Sequence, residues 1–273
     1  VTPGVLAGKA VVITGAGRGL GEAYARLAAA EGASVVVNDV DAAAAASVAG
    51  AIGALADDSD IATWAGAGRL IDNCRRAYGR VDGLVNNAGL FRLADPREQD
   101  PEEFRRVLEV NLLGTAYCGL HAIRAMLKQG GAGSVVNVTS GSQSGTAALA
   151  AYGASKGGVA SLTWCWAADL ADTQVRVNAV SPNAHTRMAD AFERHLGARA
   201  RGQNVGKTPA SNAPAVVHLL SDAAAGISGR IVRVDGDELS LVQPPRTAVA
   251  VRLPEWTVAA VAEAFAGDLR QQP

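Results

Sequence analysis

The sequence predicts an α/β fold: a three-layer, doubly wound parallel sheet with helices on both faces and a C-terminal extension. Three observations predict it. Short β-branched runs alternate with helical segments along most of the chain, the rhythm of a sheet wrapped by helices. The first run, Ala10 to Ile13, ends in the glycine turn Thr14-Gly15-Ala16-Gly17-Arg18-Gly19-Leu20-Gly21, and a helical pattern follows from Glu22 to Glu31. A second apolar run, Ser34 to Val37, begins after the break at Gly32. A strand-helix-strand unit with two apolar strands makes them parallel, joined by a right-handed crossover.

Each later element has its own signal. Asp41 is placed to cap a helix that opens with the alanine run 42–46, a strong helix former. Leu55 to Ile61 reads as a polar third strand, and Trp64 to Tyr78 as a helix closed by Gly79. Val81 to Val85 is a buried strand that ends at Asn86-Asn87-Ala88-Gly89. Pro101 opens a long helix through Gln129, interrupted at Asn111 and Gly114 and ended by glycines 130, 131 and 133. Strands follow at Ser134 to Val138, Val175 to Val180 and Arg230 to Val234, the last; between the first two lies an apolar helical run, Val159 to Leu170. No compositional break precedes Leu239, so residues 1–240 are expected to form one domain. From Gln243 the character changes: Pro244-Pro245 starts an irregular stretch, and Trp256 to Phe265 reads as an amphipathic terminal helix. Residues 241–273 are therefore expected to be an extension packed on the same domain.

Composition narrows the function classes. The 273 residues are 49% hydrophobic, ample for a buried core. A formal net charge of −1 leaves no electrostatic footprint for nucleic acid or an anionic membrane, so a small molecule is the expected partner. Cys74, Cys118 and Cys165 have no C-x-x-C spacing and fall in predicted helices, where they read as buried apolar residues in a reducing compartment. No apolar stretch approaches membrane-spanning length, and no basic start precedes an apolar run after Val1, so a cytoplasmic location is expected. His121, His195 and His218 lack spaced acids or cysteines, and no metal site is predicted.

Two motifs carry chemistry. In the glycine turn, Gly15, Gly19 and Gly21 let the backbone approach an anion, while the N–H groups and dipole of the next helix point at a pyrophosphate. Arg18 and Leu20 lie inside the turn and are counted with it as cofactor contacts. Asp39 ends the second strand about twenty residues on, where a carboxylate accepts both hydroxyls of an adenosine ribose and repels a 2′-phosphate. This favours NAD over NADP. Arg18 argues the other way, since a cation there could meet that phosphate, and an aspartate after a strand is otherwise only a turn residue. The second motif is Tyr152 and Lys156, which share a face if the segment is helical. A free tyrosine titrates near pH ~10. A neighbouring ammonium favours the phenolate and makes a general acid/base of it near neutrality. Taken alone, the pair reads as a surface Tyr and Lys on an ordinary helix.

The remaining motifs decide between these readings. TGAGRGLG at 14–21, NNAG at 86–89, VNLLGT at 110–115, VVNVTS at 135–140, YGASK at 152–156 and VRVNAVSP at 175–182 occur in this order. The chain thereby resembles the short-chain dehydrogenase/reductase family from Gly8-Lys9 to about Asp237. The resemblance implies a Rossmann-like fold and an NAD-dependent oxidoreductase that moves a hydride between nicotinamide and a secondary alcohol or ketone. It gives Tyr152 the proton transfer, Lys156 the lowering of its pKa and the nicotinamide ribose, and Ser140 the substrate oxygen, with Thr139 and Ser142 as neighbouring hydroxyls. Asn111 would anchor a water chain from Lys156; a polar residue in mid-helix is otherwise a solvated position. Asn87, Ala88 and Gly89 would line the cofactor, while Asn86 either joins them or holds the sheet. Asp60 and Ile61 would contact the adenine, a register that Asp57 and Asp58 leave open. Pro182 is followed by Asn183 where the family has glycine, and asparagine tolerates a left-handed backbone. Thr186 would bind the nicotinamide carboxamide, with His185 beside it.

The segment between Thr186 and Pro214 is where the family builds its substrate lid. Ala189, Phe192 and Leu196 make it partly apolar, and Arg187, Arg194, Arg199 and Arg201 surround it with cations that equally fit a solvated helix face. The tail beyond Leu239 is similar to that of the hydroxyacyl-CoA dehydrogenase-like branch. The expected substrate is accordingly a 3-hydroxyacyl-CoA or a bulky hydroxy compound such as a steroid. Trp164 and Trp166 fall on different faces of their helix, as core or subunit contacts. The resemblance implies a homodimer or homotetramer, through this helix and the one containing Asn111. The competing expectation is a dinucleotide-binding sensor or scaffold without turnover, for which Asn183 and the tail leave room.

Overall fold

A computed structural model describes residues 3–196, 207–247, 250–252, 255–267 and 269–270. The chain divides into two compact units, residues 1–242 and 243–273. In the first, eight strands make one sheet: β1 (Ala10–Thr14), β2 (Ser34–Asn38), β3 (Leu55–Asp57), β4 (Gly83–Asn86), β5 (Gly133–Val138), β6 (Val175–Asn183), β7 (Ile231–Asp235) and β8 (Glu238–Val242). Their order across the sheet is β3-β2-β1-β4-β5-β6-β7-β8. Every neighbouring pair is parallel except β7 and β8. The chain winds outward from β1 in one direction and from β4 in the other, so a crevice opens at the carboxyl ends of these two central strands.

Side chains alternate along a strand, and both faces of this sheet are covered. In β1, Val11 and Ile13 enter one core with Tyr24 and Ala28 of α1 (Gly19–Ala30) and Val216 of α8 (Pro209–Leu220). Ala10 and Val12 enter the other, with Leu70 of α3 (Trp64–Tyr78) and Met126 of α5 (Gly114–Gln129). Burial of a side chain such as Ile13 or Leu70 contributes ~2 kcal/mol. Cys74 and Cys118 are buried, as expected of small apolar residues, but Cys165 is exposed, because its position on α6 (Ala150–Asp169) faces away from the sheet. Trp164 and Trp166 do take different faces: Trp166 packs toward the α3 and α5 layer, Trp164 against Ala160 and Ile231.

The long helix predicted from Pro101 is three pieces. α4 (Pro101–Leu108) runs into a π-helical turn, Glu109–Leu113, and then into α5. The predicted interruption is thus a widened turn containing Asn111. Elsewhere the boundaries move for identifiable reasons. β3 stops at Asp57, well short of Ile61, because the Asp57 carboxylate accepts from the Ser59 N–H (2.9 Å) and from Asn38 Nδ2 (3.1 Å) and turns the chain. β7 is not the last strand. Gly236 takes φ +69°, and the resulting hairpin returns β8 antiparallel to β7. In the second unit, α9 (Val258–Ala266) is capped by Thr257. Among the described residues, no helix is long and apolar enough to cross a membrane.

Candidate active site

The glycine turn between β1 and α1 faces the central crevice. Gly15 has φ +61°, and a Cβ there would lie 2.7 Å from Ala88 Cα. A Cβ on Gly21 would lie 2.3 Å from the Gly15 carbonyl oxygen, so α1 reaches the turn only through a glycine. Helices α2 (Ala42–Ile52), α3, α4 and α8 are capped by the side chains of Asp41, Thr63, Asp100 and Thr208. At α1 the capping position is Arg18, which supplies no side-chain acceptor. Backbone donors at Gly19 and Leu20, with open space around the Gly19 position, fit the pyrophosphate of a dinucleotide.

Asp39 sits buried at the end of β2. Its Oδ2 accepts from the Gly17 N–H (3.1 Å) and its Oδ1 from the Asp41 N–H (3.1 Å), so it both holds the turn and presents a carboxylate beside it. Arg18 is matched by a residue the sequence reading used only as a cap: its Nη2 lies 3.2 Å from Asp41 Oδ2. Asn87 has a structural task. Its Nδ2 donates to the carbonyls of Thr14 (2.9 Å) and Gly15 (3.0 Å), fastening the glycine turn to the end of β4. Thr14 Oγ1 completes the joint by accepting from the N–H groups of Asn87 (3.0 Å) and Ala88 (3.1 Å). Asn86 holds the sheet, donating to Asn137 Oδ1 (2.9 Å) and to the Thr115 carbonyl (3.3 Å).

Beyond β5, four side chains converge. Tyr152 and Lys156 lie on α6, and Lys156 Nζ is 5.8 Å from the centre of the Tyr152 ring. Lys156 is buried and donates to the Val138 carbonyl (2.7 Å), the last residue of β5. Burial lowers its pKa to about 8. For Tyr152 the direction differs from the sequence expectation. Burial of the phenol raises its pKa, and the opposing influence is a hydrogen bond from Ser140 rather than the ammonium. Thr139 is excluded from that place, since its Oγ1 donates to the Val180 carbonyl (3.1 Å). Ser140 also accepts from the Ser142 N–H (3.2 Å), which fixes its hydroxyl at the head of a short 3-10 turn.

Asn111 is fully buried, not solvated. Its Oδ1 accepts from the Leu90 N–H (2.7 Å), and its Nδ2 donates to the Leu90 carbonyl (2.9 Å) and to Ser155 Oγ (3.1 Å). Ser155 in turn donates to the Tyr152 carbonyl (2.7 Å), so the π turn, the loop after β4 and α6 are tied at one point. A Cβ on Gly89 would lie 3.4 Å from Asn111 Oδ1 and 3.8 Å from Lys156 Nζ, which puts Gly89, Asn111 and Lys156 around one small space.

The other expected contacts have local partners of their own. Ile61 is buried in the core beside Gly114, and Asp60 accepts from the Ala62 N–H (2.9 Å). Asn183 does not adopt a left-handed backbone: it continues β6 opposite Asp235, to which its Nδ2 donates (3.0 Å). The strand ladder fixes the conformation that a glycine would otherwise be needed to relax. Pro182 is half-buried next to it. Thr186 caps α7 (Arg187–Leu196), accepting from the Ala189 N–H (3.2 Å). His185 is exposed and pairs with Asp190 (3.0 Å). Arg199 and Arg201 lie outside the described residues, as do the side chains of Arg187 and Leu196. Sequence reasoning missed Phe91, whose ring meets Tyr152 edge-on (5.2 Å) and faces Phe192 (6.5 Å). It lies two residues beyond the NNAG motif, and nothing local marks it as a pocket wall. Among the described residues, no group of three His, Cys, Asp or Glu side chains converges as a metal site would.

A crevice with a dinucleotide turn on one side and a buried lysine beside a half-buried tyrosine and serine on the other defines a nicotinamide-dependent oxidoreductase site. Residues 9–196 match the family model described as short chain dehydrogenase. The chain is 39% identical over 247 residues to cis-4-hydroxycyclohexanecarboxylate dehydrogenase of Sinomonas cyclohexanicum, covering 84% of this chain and 95% of that one. It is 32% identical over 262 residues to a 3-alpha-(or 20-beta)-hydroxysteroid dehydrogenase of Mycobacterium bovis, covering 93% and 98%. The crystal structure of a short chain dehydrogenase from Mycobacterium avium superposes with a TM-score of 0.87 at 32% identity, covering 99% and 98%. The chain belongs to the short-chain dehydrogenase family. It is an oxidoreductase that acts on CH–OH groups with a nicotinamide cofactor.

Proposed function

We propose that the protein interconverts a ring-borne secondary alcohol and its ketone, with NAD as the dinucleotide. The observation that carries this reading is the Ser140, Tyr152 and Lys156 constellation set against the aromatic wall of Phe91 and Phe192. Flat apolar walls suit a ring, and both dehydrogenase relatives are named for hydroxylated ring compounds. The ring compounds among the expected substrates are thus favoured over an acyl-CoA.

In oxidation, Ser140 and Tyr152 hold the hydroxyl oxygen, and the Tyr152 phenolate takes its proton. The carbinol hydrogen leaves with its bonding electron pair, nicotinamide being the group that accepts hydride when bound, and the C–O bond becomes a carbonyl. Ser140 is the group whose hydrogen bond favours the phenolate, and Lys156 is positioned to hold the nicotinamide ribose; Asn111 keeps the loop at Leu90 and helix α6 in register around it. Asp39, beside the glycine turn, is the group that favours NAD over NADP, because a 2′-phosphate would meet its carboxylate. The same reading takes the protein as a cytoplasmic homodimer or homotetramer.

The test is a panel of 4-hydroxycyclohexanecarboxylate, cyclohexanol, a 3α-hydroxysteroid and 3-hydroxybutyryl-CoA, each with NAD and with NADP, followed by nicotinamide absorbance. Turnover of ring alcohols with NAD supports the reading. Turnover of the acyl-CoA alone, or with NADP alone, overturns it.

A further inference from the structure

Arg233 lies on β7, opposite Ser181 of β6, near the carboxyl end of the sheet where the site opens. Its Nη1 is 3.1 Å from where a Cβ on Gly141 would stand, and Gly141 directly follows Ser140. The guanidinium therefore lies against the turn that carries the substrate-facing serine, close enough that a Cβ at 141 would press on it. One edge is held: Nη2 donates to Asp235 Oδ2 (2.7 Å). Asp235 also receives Lys207 Nζ (2.5 Å) and Asn183 Nδ2 (3.0 Å), and these donors, Lys207 foremost, hold its pKa down at about 2. One carboxylate thus faces two cations, and the cluster keeps a net positive charge.

A guanidinium has five N–H donors. Asp235 is the acceptor Arg233 has among the described residues, and the Arg233 side chain is about one-third exposed (34%), so its remaining donors are open to a ligand. A planar fork fixed on one side suits bidentate recognition of a carboxylate, which a lysine at the same place would not reproduce.

We propose that Arg233 reads a carboxylate on the substrate, so that the preferred substrates are hydroxy acids whose hydroxyl and carboxylate are separated by about the width of a ring. The proposal rests on the ring-alcohol reading above. Phe91 and Phe192 would flank the ring, Ser140 and Tyr152 would take the hydroxyl, and Arg233 would take the acid. Arg233 selects the substrate and has no part in the transfer of hydride or proton.

The experiment compares the hydroxycyclohexane acid with its methyl ester, in the wild type and in Arg233→Ala and Arg233→Lys. The wild type is expected to prefer the acid in kcat/KM by ~10-fold or more. Arg233→Ala is expected to lose ~10- to 100-fold on the acid, mainly through KM, and at least ten-fold less on the ester. Arg233→Lys should recover part of the loss. Equal activity of the wild type on acid and ester overturns the proposal and leaves the ring-alcohol reading standing; this comparison needs no variant to fold. Equal losses on both substrates in Arg233→Ala also overturn it, since that is the signature of a structural ion pair with Asp235. No turnover of any ring alcohol with either dinucleotide sinks both readings together.

Discussion

Lys156 Nζ donates to the Val138 carbonyl at 2.7 Å, so the lysine is tied to the end of β5 before any ligand arrives. An ammonium in this position is held at a cost, because burial lowers its pKa to about 8. Below about pH 8 the lysine is charged in both folded and unfolded chains, and the folded state bears the full desolvation penalty. Between about 8 and its ordinary value the unfolded chain binds more protons, so stability rises with pH across that window. Lys156→Met should therefore stabilise the protein by ~1–3 kcal/mol at pH 7, with the gain shrinking from pH ~8 upward and largely gone by pH ~10. Urea unfolding at the two pH values measures this, and a destabilised variant at pH 7 contradicts it. Activity should fall by ~100-fold or more in the same variant, since the group proposed to hold the nicotinamide ribose is gone.

Tyr152→Phe removes the proposed proton acceptor and keeps the ring that packs on Phe91. Alcohol oxidation should drop ~100- to 10,000-fold while the dinucleotide still binds, as fluorescence titration would show. The wild-type phenol is raised by burial, so the phenolate is the minor form at neutral pH and its fraction grows with pH. Oxidation should accelerate as pH rises from ~7 toward ~8. The residual activity of the Phe variant should lack that rise. A variant retaining the wild-type pH profile would remove Tyr152 from proton transfer.

Asn111 stands at the junction of three segments, so its loss should appear in stability as well as rate. Asn111→Leu leaves the Leu90 N–H and carbonyl without their side-chain partner and withdraws a donor from Ser155. The expected loss is ~2–4 kcal/mol in urea unfolding. Ser155→Ala, which removes one of these links and the bond to the Tyr152 carbonyl, should cost ~1 kcal/mol. If Asn111→Leu unfolds at the wild-type urea concentration, the junction is not held as described.

The parts of the site written locally were legible in the sequence. Tyr152 and Lys156 are four residues apart on one helix, and the glycine turn is a contiguous run whose backbone needs are set by residue type. What was not legible depends on distant partners. Asn111 reads as a solvated mid-helix residue until Leu90 and Ser155, 21 and 44 positions away, close around it. Arg18 reads as a free cation until Asp41, 23 positions on, meets it. The direction of the Tyr152 pKa depends on how deeply the phenol is enclosed, which i,i+4 spacing does not encode. β8 escaped because Asp237 and Glu238 interrupt the apolar pattern where the hairpin turns, leaving Leu239 and Leu241 as its only alternating signal.

In the proposed reading the dinucleotide choice turns on Asp39. Its carboxylate sits at the end of β2, with Oδ2 on the Gly17 N–H and the Arg18–Asp41 pair next to it. A 2′-phosphate brought here would face a buried carboxylate, and the nearby cation is already matched by Asp41. Asp39→Asn removes the charge and keeps an oxygen that can accept from Gly17, so the turn should survive. The variant should lose ~10-fold or more in kcat/KM for NAD, the scale of a hydrogen bond to a charged group, and gain on NADP as the repulsion goes. Asp41→Ala tests the other half: freeing Arg18 should improve NADP and leave KM for NAD within about two-fold, since Asp41 is an exposed partner of a surface pair. The measurement is the NAD-to-NADP ratio of kcat/KM in the three proteins. It should be highest in the wild type, lower in Asp41→Ala and lowest in Asp39→Asn; a ratio that Asp39→Asn leaves unchanged would mean that the carboxylate serves the turn alone.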